Sequence, residues 1–370
     1  MLTVCKKDMC TGCMACIGKC SKDAIYVKDE LDKYNAYIDK TQCMNCGMCQ
    51  RVCPQCNEVN KQDPIHWYQG WARTPEIRAR GSSGGVATAL AISFIRSGGV
   101  VCSCKQCDET FLFAVAKTEE EVVEFAGSKY IKSNPIGCYQ QIQQILREEK
   151  RVLFIGLPCQ VDAVKRYVDA KWIKNLYTID LICHGTPSPQ ILKKYLYERK
   201  KRISDYPNLK FRDKTNFRLF SNKNETLSDS NIRDWYLSSF LWGITYTENC
   251  YECQYTSIRR CSDITLGDSW GTNLSDELTN GVSLVMCQTI KGEELLKMGD
   301  LVLCSVSIDA AIANNRQLLE PMQRHPKRDH FFQLLRDGKS VSCSMSFCFP
   351  YLSFKRLVKL VLTRMRMLKR

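Results

Sequence analysis

Apolar and polar positions divide the chain into two regimes. Over residues 1–60 no helical or strand period is sustained, and short segments are interrupted by cysteines. Residues 61–80, beginning Lys61-Gln62-Asp63-Pro64, read as a connector with Trp67 and Trp71 as packing anchors. From Gly81 the apolar positions alternate between helical and strand-like spacing. Helices are expected over 86–95, 142–147, 161–167, 191–201 and 234–245, and strands over 111–117, 152–155 and 176–182. A β-hairpin is expected over 208–220. Such alternation predicts an α/β layer in which helices cover a largely buried sheet.

Composition narrows the class. A chain of 370 residues suggests two or three domains, and its 44% hydrophobic and 25% charged content is that of a soluble globular protein. Its 23 cysteines are the anomaly. A secreted disulfide scaffold would start with a leader, but Met1 to Lys7 has no apolar core segment. No run approaches the ~18 apolar residues of a membrane span. The thiols are therefore expected in a reducing, cytoplasmic setting, where metal binding is the better use for them.

Net charge is +14, and seven of the positive residues fall within 355–370, with no acid among them. This is not the basic stripe of a nucleic-acid-binding domain, so no nucleic acid is expected. The tail, 346–370, reads as a basic amphipathic segment with Leu357, Leu360, Val361 and Met365 on one helical face. It suits peripheral contact with the anionic inner membrane face, or else a solvated or partner-binding tail.

Cysteine spacing carries the strongest chemical signal. Cys10, Cys13, Cys16 and Cys20 follow C-x2-C-x2-C-x3-C, and Cys43, Cys46, Cys49 and Cys53 repeat it, with Pro54 next. A 4Fe-4S cube needs four converging thiolates, and in this arrangement the fourth cysteine of each run ligates the other cluster. One cluster is thus assigned Cys10, Cys13, Cys16 and Cys53; the other is assigned Cys43, Cys46, Cys49 and Cys20. Gly12 and Gly47 stand where the loops must bend tightly. Zinc competes, but zinc sites use C-x2-4-C pairs rather than tandem four-cysteine runs. Cys49, Cys53 and Cys56 also match the C-x3-C-x2-C of radical enzymes using S-adenosylmethionine, although two of them belong to the fuller pattern. Cys5 and Cys56 read as spare thiols. Over residues 5–56 the chain resembles the bacterial two-cluster ferredoxin module, with Ser21 where proline is common.

In the second regime, Arg80-Gly81-Ser82-Ser83-Gly84-Gly85 precedes the helix expected from Val86. Glycines there let backbone N–H groups approach an anion and the helix dipole adds to it, though the same pattern is often an ordinary turn. Five further segments follow in order: Gly127-Ser128-Lys129-Tyr130, Gly156-Leu157-Pro158-Cys159-Gln160, Asp180-Leu181-Ile182-Cys183-His184-Gly185, Cys250-x2-Cys253, and the stretch Asp263 to Gly271. Together they resemble the coenzyme F420 hydrogenase/dehydrogenase beta-subunit family over roughly residues 78–340. A ferredoxin head is a common attachment in that family.

The resemblance implies a flavoprotein that binds FAD beside a 4Fe-4S cluster and exchanges hydride with a partner such as the deazaflavin coenzyme F420. It assigns Ser82, Ser83, Gly84, Gly85, Thr88, Lys129 and Tyr130 to the flavin, although Lys129 reads equally as a solvated surface lysine. It also implies a third cluster on Cys159, Cys183, Cys250 and Cys253. The first two stand at C-terminal ends of expected buried strands, the edge where ligands collect in open α/β sheets. Buried cysteines acting as small hydrophobes are the alternative, and Cys261 is the rival ligand. His184 is a candidate proton donor or a partner for a cluster sulfur, and with Lys129 it makes the candidate catalytic pair; a structural histidine fits as well. Asp263 and Asp268 are expected to orient loops or contact substrate. Cys102, Cys104 and Cys107 form C-x-C-x2-C with no evident fourth ligand. Cys138, Cys287, Cys304, Cys343 and Cys348 read as core or incidental thiols.

The expected architecture is α+β in a small two-cluster ferredoxin-like head, 1–60, then a connector, 61–80, a mixed α/β flavin- and cluster-binding body, 81–345, and the tail. The expected function is an oxidoreductase passing electrons through 4Fe-4S clusters to FAD and on to a small-molecule substrate or redox coenzyme, or the reverse. The expected partner is an electron donor or acceptor protein, ferredoxin-like or a partner subunit. A non-catalytic electron-transfer subunit and a cluster-based redox sensor are the alternatives.

Overall fold

A small antiparallel sheet opens the chain, and a large mixed sheet dominates the rest. The computed structural model describes residues 2–221, 227 and 234–364. Strands β1 (Leu2–Thr3), β2 (Ile25–Asp29) and β3 (Tyr34–Ile38) form the small sheet in the order β1-β3-β2. The large sheet comprises β4 (His66–Ala72), β5 (Val100–Cys107), β6 (Thr110–Ala116), β7 (Val152–Gly156), β8 (Leu176–Leu181), β9 (Ile264–Asp268), β10 (Ser283–Cys287) and β11 (Leu301–Ser305). Its order is β11-β4-β10-β9-β8-β7-β5-β6. Strands β5, β7, β8 and β9 pair in parallel, whereas β6 and the β10-β4-β11 flank pair antiparallel.

The middle of this sheet follows from its apolar runs. A parallel strand covered on both faces needs a continuous hydrophobic stretch, and alternate side chains then serve opposite faces. In β7, Val152 and Phe154 pack with Ile142, Leu146, Val161 and Val164 from the helices Cys138–Arg147 and Pro158–Tyr167. Leu153 and Ile155 pack on the other face with Leu90 and Phe94 of the helix Val86–Arg96. A separate helical layer, Pro189–Tyr197, Trp235–Leu241, Arg328–Arg336 and Val341–Cys348, closes around Tyr195, Tyr236, Phe331 and Phe332.

Several expectations need correction. Residues 61–80 are not merely a connector, because they hold β4, which is hydrogen-bonded to β10 on one side and β11 on the other. Its period was masked by Trp67 and Trp71, which read as isolated anchors. The stretch 208–220 makes only the isolated bridges Lys210↔Phe220 and Asp213↔Asn216, not a ladder. The helix expected to 245 ends at Leu241, just before Gly243 turns left-handed at φ 65. Strand β5 was missed, since its cysteines and Lys105-Gln106 gave no apolar run.

The head is fastened to the body by polar contacts. Lys19 Nζ donates to the Tyr167 carbonyl at 2.8 Å, and Tyr167 Oη donates to the Gly18 carbonyl at 2.7 Å. Buried Arg328 reaches the Asp32 carbonyl at 2.8 Å. The chain's last described helix, Pro350–Arg364, leaves Tyr351, Phe354, Leu357 and Val361 exposed. Met365 and the side chain of Leu360 lie outside the described residues. Among the described residues no helix is long and apolar enough to cross a membrane.

Candidate functional site

The first cysteine run bends at Gly12, held at φ 71, and enters the short helix Ala15–Lys19. This geometry brings Cys10, Cys13 and Cys16 inward beside Cys53, and all four are only 6–8% exposed. Burial raises the thiols of Cys13 and Cys16, and Cys16 lies in the field of Cys13, Cys53 and Cys49. The second run bends at Gly47, again at φ 71. Here Cys46 is exposed, Cys20, Cys43 and Cys49 are half-buried, and Cys49 neighbours Cys20 and Cys43. Cys53 of the second run thus lies with Cys10, Cys13 and Cys16, and Cys20 of the first lies near Cys49. Backbone N–H groups point at sulfur: Gly12 at Cys10 (3.4 Å), Ala24 at Cys20 (3.4 Å) and Asn45 at Cys43 (3.5 Å). Cys5 and Cys56 are not idle. Cys5 hydrogen-bonds Cys10 and Cys53, the Cys10 contact first among the causes that push it up to about 12, and Cys56 meets Cys53.

In the body, Cys159 opens the helix after β7, Cys183 follows β8, and Cys250 and Cys253 come from the loop after Thr247. Cys159 lies in the field of Cys183 and Cys253, and Cys183 in that of Cys250 and Cys253. Burial raises Cys159 and Cys253 and pushes Cys183 up to about 12. A buried thiol keeps its proton unless positive charge is brought to it, as an iron cluster does. Donors already surround these sulfurs: Asn249 Nδ2 lies 3.7 Å from Cys250, and backbone N–H groups of Gly185 and Tyr255 serve Cys183 and Cys253. Such donors fit cluster thiolates. Cys261 turns away and donates to the Pro158 carbonyl at 3.6 Å. Among the described residues no three His, Cys, Asp or Glu side chains stand close enough to share one metal ion. Cys13 of the head and Cys159 of the body lie in each other's field, with Tyr139 beside both.

Past Cys183 lies a cavity of about 280 Å³. Ser82, Ser83, Gly85, Thr88, Lys129 and Tyr130 all line it, as do Cys183 and His184. Gly84 does not: its N–H donates to Ser283 Oγ at 3.0 Å, and a Cβ there would stand 2.4 Å from the Gly70 carbonyl. Its role is close packing of the turn on β4. Lys129 turns its ammonium to the carbonyls of Phe125 (2.6 Å) and Ala126 (3.3 Å), and burial lowers its pKa. Tyr130 stacks on Phe240 at 4.5 Å and 11°, making a flat aromatic wall. His184 Nδ1 pairs with Gln317 Nε2 at 2.7 Å. The amide N–H must donate, so Nδ1 accepts and the neutral ring carries its proton on Nε2. Burial lowers the His184 pKa and so favours this neutral form.

Sequence reasoning missed the charged wall opposite. Arg212, 7% exposed, grips Asp268 through two bonds of 2.5 and 2.6 Å and lies 5.1 Å from the ring centres of Phe217 and Trp270. Lys214 donates to the carbonyls of Arg78 (2.5 Å), Gly81 (2.8 Å) and Ser83 (2.9 Å), which braces the glycine turn, and burial first and Arg78 second lower its pKa to about 8. Both come from the irregular 208–220 stretch, whose only signal was the basic pair around Asp213. Asp268 reaches the site, whereas Asp263 is structural: its carboxylate accepts from Thr178 N, Thr178 Oγ1 and Thr289 Oγ1, each at 2.7 Å. Cys102, Cys104 and Cys107 do not form a ligand set. Cys102 hydrogen-bonds Cys138, and Cys104 lines the cavity.

Family models match three stretches of the chain. Residues 9–57 match a 4Fe-4S dicluster domain. Residues 67–137 match the N-terminal part, and residues 149–303 the C-terminal part, of the coenzyme F420 hydrogenase/dehydrogenase beta subunit. The N-terminal match opens within β4. An uncharacterized protein of Methanocaldococcus jannaschii is 24% identical over 191 residues, which are 42% of this chain and 52% of that protein. The chain thus spans about half the length of this curated relative. A chain of the F420-reducing nickel–iron hydrogenase complex from Methanosarcina barkeri superposes with a TM-score of 0.52 at 17% identity, covering 72% of this chain and 97% of that one. That likeness is one of fold.

Proposed function

The chain belongs to the coenzyme F420 hydrogenase/dehydrogenase beta-subunit family, with an iron–sulfur dicluster head, and from that membership we propose that it is an iron–sulfur flavoprotein oxidoreductase. It exchanges electrons with a donor or acceptor protein, ferredoxin-like or a partner subunit, and with a small redox substrate or coenzyme, a deazaflavin among the candidates. Cys10, Cys13, Cys16 and Cys53 would hold one 4Fe-4S cluster; Cys20, Cys43, Cys46 and Cys49 a second; and Cys159, Cys183, Cys250 and Cys253 a third. FAD would occupy the cavity beside Ser82, Ser83, Gly85, Thr88 and Tyr130. When bound, such clusters supply single-electron exchange, and FAD supplies the conversion between single electrons and hydride.

One observation carries this reading: neighbouring thiols run from the exposed Cys46 side through Cys13 and Cys159 to Cys183 on the cavity wall. The chain's own residues supply the rest. His184 offers a neutral Nε2–H at that wall, held in orientation by Gln317. The Tyr130–Phe240 stack gives a planar apolar surface suited to an aromatic ring system. Lys214 holds the Gly81 and Ser83 carbonyls and so fixes the glycine turn that lines the cavity.

Anaerobic purification tests the reading. Flavin absorbance with about twelve irons per chain is expected, whereas about eight irons without flavin favours a carrier or sensor, and a colourless, iron-free protein overturns it. Turnover of a small acceptor without any protein partner separates an enzyme from a non-catalytic subunit. We assign the chain to the cytoplasm, with the helix Pro350–Arg364 resting on an anionic inner membrane face. In support, exposed Tyr351, Phe354 and Leu357 alternate there with Lys355, Arg356 and Lys359, and no acid follows Asp337. Deleting 351–370 should abolish co-sedimentation with anionic liposomes while iron content holds; undiminished binding ends the membrane assignment.

A further inference from the structure

A lysine is buried where the head meets the body. Lys132 is 6% exposed, and its ammonium donates to the Thr11 carbonyl at 2.9 Å. Its backbone N–H is held by the Pro187 carbonyl at 2.9 Å, and Nζ lies 5.2 Å from the Tyr34 ring centre. Gly12 makes room for the stem, since a Cβ there would stand 3.0 Å from Lys132 Cδ. Nearby acids are engaged elsewhere. Asp162 pairs with Arg166 at 2.9 Å and accepts from Tyr255 Oη at 2.8 Å, and Asp29 accepts from Tyr34 and Ser188. Among the described residues no carboxylate forms an ion pair with Lys132. What shares its field instead is sulfur: Cys13 of the head, and Cys159 and Cys183 of the body.

A buried ammonium without an ion-pair partner is unfavourable, and a bound anionic group beside it would supply the counter-charge. A 4Fe-4S core held by four thiolates carries net negative charge whether oxidised or reduced, and its potential responds to nearby charge. We propose that Lys132 is the shared counter-charge of the inner head cluster and the body cluster, a positioning residue that raises the potentials of both. The proposal rests on the cluster assignments made above. When the inner cluster takes one electron from its donor, the donor loses that electron, the cluster gains one negative charge, and no bond or proton moves. A fixed positive charge between the two sites therefore favours reduction at either, and draws electrons inward from the solvent-facing cluster. Because the charge is buried, bulk salt screens it little.

The test uses the full chain, reconstituted anaerobically, with Lys132→Gln, Lys132→Met and Lys132→Arg. Glutamine keeps a donor for the Thr11 carbonyl and removes only the charge, so it guards against a folding defect in the methionine variant. Iron counts and EPR-monitored redox titration are read for each. With iron at the parent level, Lys132→Gln should move two of the three cluster signals to lower potential and leave the third in place. It should also slow reduction of the inner clusters by a protein donor about tenfold, a shift that salt does not erase, and Lys132→Arg should restore both. Unmoved potentials in an iron-replete Lys132→Gln, or an equal shift of all three signals, overturn the proposal. A parent protein that takes up no iron fails the cluster assignment itself, and is told apart from that result by the iron count.

Discussion

The two cysteine runs of the head are near-copies as sequence and opposites as structure. Both read C-x2-C-x2-C-x3-C, and both bend at a glycine held at φ 71. The first is pressed against the body, where Cys10, Cys13 and Cys16, with Cys53 beside them, are at most 8% exposed and Lys132, Tyr139 and Cys159 stand close by. The second faces solvent, with Cys46 exposed and no atom within 4 Å of where a Cβ on Gly47 would sit. Solvent exposure and hydrogen bonding to sulfur set a cluster's potential, so equal spacing does not make equal sites. The open site suits exchange with a partner, and the closed one suits passage inward.

If burial sets these roles, Cys13→Ser and Cys46→Ser will part company. Each should remove about four irons. Cys13→Ser should cut reduction of the flavin proposed for the cavity at least 100-fold with any donor, because the gap falls between head and body. Cys46→Ser should do so only with a protein donor and leave a small diffusing reductant effective. Stopped-flow reduction with both kinds of donor reads the difference, and equal losses would erase the distinction between the runs.

The glycines sharpen it. Gly47→Ala meets only the left-handed backbone penalty, about 1–2 kcal/mol. Gly12→Ala meets that and also Lys132 Cδ at 3.0 Å and the Tyr34 ring at 3.2 Å, so its loss should be larger, about 2–5 kcal/mol. Denaturant unfolding of the two variants under matched cluster loading checks the order.

The smallest effect lies at the inward end of the path. Because burial lowers the His184 pKa, the unfolded chain binds the extra proton first as pH falls. Stability should therefore be unaffected by His184 above its ordinary pKa near ~6.5 and decline below it, by no more than about 1.4 kcal/mol per pH unit. His184→Gln should flatten that part of the stability–pH profile. A parent slope unchanged by the substitution would place the titration elsewhere.

Much of this was legible in the chain. The cysteine spacing of the head, the glycine turns within it, and strands β7 and β8 all depend on neighbours within a few residues, and local pattern carries such constraints directly. Strand β4 was not legible, because it owes its place to β10 and β11, more than 200 residues away, rather than to its own period. The Arg212–Asp268 grip was equally hidden, since 56 residues separate the partners and Arg212 lies in a stretch without regular structure. Lys129 was legible as a cavity residue but not in its orientation, which two carbonyls of the preceding turn decide.

What the sequence determined alone was the chemistry on offer: two four-thiol runs whose short gaps can close around a cube, and an apolar middle that must be covered on both faces. Which run would be sealed and which left open, and which lysine would be trapped between head and body, was settled only by tertiary packing. Burial and electrostatic environment are properties of the surroundings that long-range contacts assemble, and two identical motifs carry no information about which of them those contacts will enclose.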